Sequence, residues 1–132
     1  MARLIIILSC LFAVTASAHS DKGVWFKSPK NGAAVATTFK AQFGIKGMKI
    51  RPAGEAPDEK TSGHFHVIID GQPAAEGTVI PADANHLHFG KGQTEAEVKL
   101  TPGQHTLTLQ FADGLHRAYG PELAETITVT AK

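Results

Sequence analysis

Beyond its first 18 residues the chain alternates apolar and polar positions with a period of two, the spacing of half-buried strands rather than of an amphipathic helix. Phe39, Ala41, Phe43 and Ile45 alternate with Lys40, Gln42 and Gly44. Ala96, Val98 and Leu100 alternate with Glu95, Glu97 and Lys99, and Leu107, Leu109 and Phe111 with Thr106, Thr108 and Gln110. Each run predicts a strand with one face in a core and the other turned away from it. Val24-Trp25-Phe26, Gly63 to Ile69, Asn85 to Phe89 and Glu125 to Thr130 extend the set, and Pro29-Lys30-Asn31-Gly32, Asp70-Gly71 and Pro102-Gly103 supply turns between strands. The pattern predicts an all-β protein, an antiparallel immunoglobulin-like β-sandwich of about seven strands. From Lys46 to Ser62 the pattern breaks at Gly47, Pro52, Gly54 and Pro57. A loop of that length in a compact domain is more often functional than not.

The N-terminus follows different rules. A continuous apolar run from Leu4 to Val14 follows Arg3 and closes on Ala16-Ser17-Ala18, the small-x-small pattern of a signal-peptidase site. The run is shorter than the roughly 20 residues that a membrane span needs. We therefore expect residues 1–18 to be a cleaved signal peptide, residues 19–132 to form one sandwich domain, and the mature protein to be periplasmic or secreted, with a monomer as the default state. A lipoprotein cysteine at Cys10 fits less well, because Leu8 departs from the lipobox pattern and the apolar run before it is short. Cleavage changes the arithmetic of charge. Loss of Arg3 brings the 13 Lys and Arg down to match the 12 Asp and Glu. A neutral domain with interspersed signs has no electrostatic footprint for nucleic acid or an anionic membrane. Cleavage also removes Cys10, the one cysteine, and with it any disulfide, thiolate site or cysteine nucleophile.

Four stretches carry a family resemblance: Gly44 to Gly54, Gly63-His64-Phe65-His66-Val67-Ile68-Ile69-Asp70, Ile80 to Asp83 with His86 to Glu95, and Leu109 to Arg117. Together they resemble the bacterial domain-of-unknown-function 4399 family across essentially the whole mature chain. The resemblance implies a small, exported, all-β domain and brings no activity with it. Phe65 stands where members of that family often carry a third histidine between the other two, which implies that this middle position is dispensable to any shared site.

Histidine is the chemistry left in excess. All seven, His19, His64, His66, His86, His88, His105 and His116, follow the apolar run. Residues i and i+2 of a strand share a face, so His64 and His66 point together, opposite Phe65, Val67 and Ile69. His86 and His88 do the same opposite Leu87 and Phe89. Neighbouring strands lie about 4.8 Å apart, close enough for two such pairs to share one ion. Imidazole suits zinc and copper. His64, His66, His86, His88 and His116 are therefore the candidate ligands, with Met48, a soft thioether in the long loop, and His19, the expected mature N-terminus, as secondary ones. Asp83 and Asp113 are placed to orient a ligating ring from outside. The plainer alternative is that strand histidines only hydrogen-bond to neighbours. His105 shares parity with Leu107, Leu109 and Phe111 and is read as structural, as are Trp25 and Tyr119. Gly90-Lys91-Gly92-Gln93-Thr94 lacks the spacing of a phosphate loop and leads into a strand.

No nucleophile elbow, Ser-x-x-Lys or His-Glu-x-x-His motif is present, and the expectation is a protein without catalysis. The reading is a periplasmic copper- or zinc-binding module for storage, delivery or tolerance. The alternative is a cell-envelope accessory domain that binds a protein, peptide or glycan through its histidine-bearing face. Convergence of the histidines within a few ångströms decides between them.

Overall fold

A computed structural model describes residues 21–132; the expected signal peptide and His19 lie outside the described residues. Nine strands follow in order: β1 (Gly23–Ser28), β2 (Ala34–Val35), β3 (Thr38–Lys46), β4 (Lys49–Ile50), β5 (Ser62–Ile69), β6 (His86–Phe89), β7 (Glu95–Lys99), β8 (Gly103–Ala112) and β9 (Ala124–Ala131). A 3-10 turn, Pro121–Leu123, precedes the last. The expected all-β sandwich is present, with two-residue strands β2 and β4 added to the anticipated set. One sheet has the order β1-β3-β7. The other has the order β2-β9-β8-β5-β4, and β6 also pairs with β5. The long strands pair antiparallel, whereas the short β2 and β4 join β9 and β5 in parallel. No helix among the described residues is long and apolar enough to cross a membrane.

The inner faces interdigitate as the period of two requires. Phe26 and Phe43 from the smaller sheet meet Phe65, Val67, Phe89, Leu107, Leu109 and Phe111 from the larger in one buried cluster. Phe43 lies at the centre, with ring centroids 5.2 Å from Phe65 and 5.3 Å from Phe89. Burying each such side chain contributes roughly 1.5–3 kcal/mol, so this layer supplies most of the drive to fold without any cross-link.

The outer face of β5 and β8 departs from the simple alternation. All eight residues of β5 are buried, including His64 and His66, and so are Thr108, Gln110 and Ala112 on β8. A covering layer explains this. Residues 71–85 cross over the sheet and are pinned to it by Ala74 N–H donating to Gln110 Oε1 at 3.0 Å. They also pair with the loop after β8, through Ala118 N–H to Thr78 O and Ile80 N–H to His116 O. Gln110 Nε2 shares its two N–H groups among Phe111 O, Gly120 O and Leu123 O, so with Ala74 on Oε1 a buried amide is satisfied while it ties β8 to residues 71–85 and to the 120–123 turn. The 46–62 loop closes a further side, with Ala53 N–H bound to Gly90 O and Gly54 N–H to Gly114 O. Its own end is held by Glu59, which accepts from Arg51, Thr61 and Ser62.

Candidate metal centre

β5 places the first two histidines by local geometry alone. His64 and His66 stand on the same side of the strand, turned from the Phe65 face, and both are essentially without solvent exposure. Antiparallel pairing of β5 with β6 sets His88 directly opposite His66. On the other edge Ala112 lies opposite His64. Its small side chain leaves space above the sheet, and the chain turns back over it, bridging Ala112 to Ala118 and carrying His116 towards His64.

The turn that presents His116 is tightly built. Asp113 Oδ1 accepts the N–H groups of Leu115 and Arg117, and Asp113 Oδ2 takes the Arg117 Nε–H at 2.7 Å. His116 N–H returns to Asp113 O. His116 itself has φ 64, in the left-handed region that side-chain-bearing residues seldom adopt. That conformation stores strain, which the Asp113 and Arg117 bonds sustain, and it aims the ring at the sheet. Burial of Asp113 works against ionisation, but its hydrogen bonds, chiefly with Arg117, outweigh it and hold the carboxyl below its ordinary range.

The four rings converge on one point. His64 Nε2 lies 3.1 Å from His66 Nε2, 3.2 Å from His88 Nε2 and 3.1 Å from His116 Nδ1. The four ligand atoms all lie within 4.8 Å of one another. A tetrahedral ion with metal–nitrogen bonds of about 2.0–2.1 Å sets its ligand atoms about 3.3–3.4 Å apart, so small ring movements suffice to hold one. The donor set also fits chemically. Burial, then the neighbouring His88 and His116, push His64 down to about 4 against the opposing field of Asp113. Burial, then the other imidazoles, push His66 down to about 2, and burial with His116 lowers His88. Rings held neutral at pH 7 keep a lone pair for a cation.

A further feature points the same way. His64 Nδ1 and His66 Nδ1 are buried without a hydrogen-bond partner. A buried polar atom left so costs about 1–3 kcal/mol. Both rings nonetheless turn Nε2 into the group, an orientation that a shared cation there would stabilise. Room for the rings is also specific: a Cβ at Gly90 would collide with the His88 ring and press on Ala53. Three of the imidazoles, His66, His88 and His116, line a cavity of about 100 Å3 with Ile80, Pro81 and Ala82.

Other expected residues are elsewhere. His86 shares a face with His88 but is one step further along β6, opposite Ile68, and donates through Nδ1 to Asp83 Oδ1 at 2.8 Å. The carboxylate turns the ring out of the four-histidine group, so His86 is removed from the ligand set and Asp83 serves His86 instead of a ligand. Met48 is outside the four-histidine group and packs, partly buried, against the sandwich core, where a flexible apolar chain fills space. Asp113 positions the loop, not a ring. His105 is structural as expected: it donates to Asp70 Oδ2 and to Thr101 O, both at 2.8 Å. Sequence reasoning missed Gln110, Gly90 and Arg117. Gln110 sits on the polar parity of β8, which signals solvent unless a covering segment is known.

The described residues thus form an antiparallel β-sandwich that gathers four histidines on one sheet face, two of them buried and His88 open to solvent. The model of the family described as Domain of unknown function (DUF4399) matches residues 41–132, and the chain belongs to that family. Comparison with curated proteins gave no match, and comparison with solved structures gave none.

Proposed function

We propose that this protein binds one zinc or copper ion through His64, His66, His88 and His116, and that it serves metal storage, delivery or tolerance in an exported compartment. The observation that carries the reading is the convergence of four imidazole nitrogens, three of them 3.1–3.2 Å from His64 Nε2. The export part rests on the leader pattern at residues 4–18. An all-nitrogen set, with Met48 committed to the core, favours zinc(II) or copper(II) over copper(I), which softer sulfur ligands select. Docking of an envelope protein, peptide or glycan through the same face is the alternative; separated histidines would favour it, and the convergence of His64, His66, His88 and His116 supports the metal reading.

The test is calorimetric titration with zinc(II), copper(II) and copper(I) at pH 7. His64 and His66 are buried, whereas His88 is exposed and His116 half-buried. The cleaner variant is therefore His88→Ala/His116→Ala, compared with His64→Ala/His66→Ala and the unaltered protein. One-to-one binding that both double variants lose is the expected result. Stoichiometric binding retained in either folded variant overturns the assignment.

A further inference from the structure

The four imidazoles are not equivalent with respect to the space beside them. His66, His88 and His116 line the cavity of about 100 Å3, and His64 does not. Its remaining lining is Ile80, Pro81 and Ala82. Pro81 and Ala82 are exposed, so the cavity reaches solvent on their side, while Ile80 is buried. Ile80 N–H donates to His116 O at 2.9 Å, which fixes this wall to the loop that carries one of the rings. Ile80 is packed from behind by Ala112 and Ala118.

We propose that an ion held by the four histidines keeps an exchangeable coordination position over the face formed by His66, His88 and His116, and that the cavity admits a small neutral or singly charged anionic ligand there. The proposal rests on the metal-binding reading. Its own content is access and size. A cation surrounded on every side by protein has four ligands and no more, whereas an open face permits expansion to five. A water molecule takes about 30 Å3 of liquid volume, so a cavity of about 100 Å3 is on the scale of a few waters or one small ligand. The three non-histidine walls bring no charged side chain and no side-chain hydrogen-bond donor. A ligand is therefore held by the metal and by shape, and a multiply charged or polyhydroxylated molecule finds nothing to replace its water. Binding displaces water from the ion and changes no oxidation state.

Azide is the probe. Protein produced from the full chain is loaded with one equivalent of copper(II), its stoichiometry is measured, and azide is titrated while the optical and electron paramagnetic resonance spectra are followed. The expected result is a saturable one-to-one spectral change with azide and a much weaker one with benzoate, whose ring must stand outside the cavity at the exposed Pro81–Ala82 rim. Ala82→Phe, at the exposed rim, should keep the metal and weaken azide at least about tenfold. Loaded protein that shows no azide response, that binds benzoate as well as azide, or that responds to azide unchanged in Ala82→Phe overturns the open position and leaves the metal site standing. Failure to take up one equivalent of either copper(II) or zinc(II) overturns both. If Ala82→Phe loses the metal, the contrast between azide and benzoate in the unaltered protein decides.

Discussion

The two ends of the β5–β8 ladder use histidine in opposite ways. At one end His64 and His66 face other imidazoles, lose their access to water and are held neutral. At the other end His105 donates from both ring nitrogens, to the Asp70 carboxylate and to the Thr101 carbonyl, and its pKa is raised chiefly by the Asp70 bond. Asp70 also accepts from Thr106 N–H, so this end is a clip closing the turn between strands. One residue type on one ladder thus gives a fastening to a carboxylate and a set of neutral lone pairs. The difference comes from the neighbours: a carboxylate with solvent nearby favours the imidazolium, and burial among rings disfavours it.

The two ends should differ most in their effect on metal affinity. Loss of a residue that merely orients a ligand costs about 10–100-fold, so removal of two ligands in His88→Ala/His116→Ala should cost more than about 100-fold. His105→Ala should leave affinity unchanged, as measured by the same titration. A shared loss would erase the distinction between the two ends.

Stability against pH should separate the ends by sign. His64 and His66 have folded pKa values below the ordinary 6.5, at about 4 and about 2. Between those values and 6.5 the unfolded chain binds more protons, so the metal-free protein loses stability as pH falls through this window. The slope reaches about 1.4 kcal/mol per pH unit for each ring kept neutral. The His105 pKa is shifted the other way. Its contribution is full below 6.5 and is lost as pH rises through the raised folded value. Urea titrations of the metal-free protein from pH 4 to 8 measure both. A stability that fails to fall between pH 6.5 and 4 would show that the buried rings are hydrated.

Gly90→Ala sharpens the site by crowding a ring without removing a donor. A Cβ there meets the His88 ring, and the affinity should drop about tenfold with the other three ligands intact. Affinity equal to that of the unaltered protein would mean that His88 contributes little. The smallest effect belongs to the clip itself. His105→Ala should cost below about 1 kcal/mol, the range of solvent-screened pairs, with the loss seen in denaturant midpoints at pH 6 and diminished at high pH.

Much of the fold was legible because a strand writes its two faces into alternate residues. The Phe39–Ile45, Ala96–Leu100 and Leu107–Phe111 alternations each became a strand, with Phe43, Val98, Leu107, Leu109 and Phe111 in the core. The shared face of His64 and His66 followed from the same rule. Legibility ended where a second segment intervenes. Gln110 and Thr108 carry the signature of solvent-facing positions yet are buried, since residues 71–85 return over them. His86 and His88 were indistinguishable by parity, and a carboxylate three residues before His86 decided its direction. β2 and β4, two residues each, are too short to show a period.

Alternation along the chain is enough to set the all-β class, the strand faces and the pairing of His64 with His66, because these depend on backbone geometry repeated every two residues. Only the folded chain sets β6 beside β5, brings the loop after β8 back over Ala112, and gathers four histidines, His64 and His66 buried and His88 open to solvent. The first and last of these depend on contacts between residues tens of positions apart, such as His64 with His88 and His116. Local periodicity says which way a side chain points and is silent on what waits across from it.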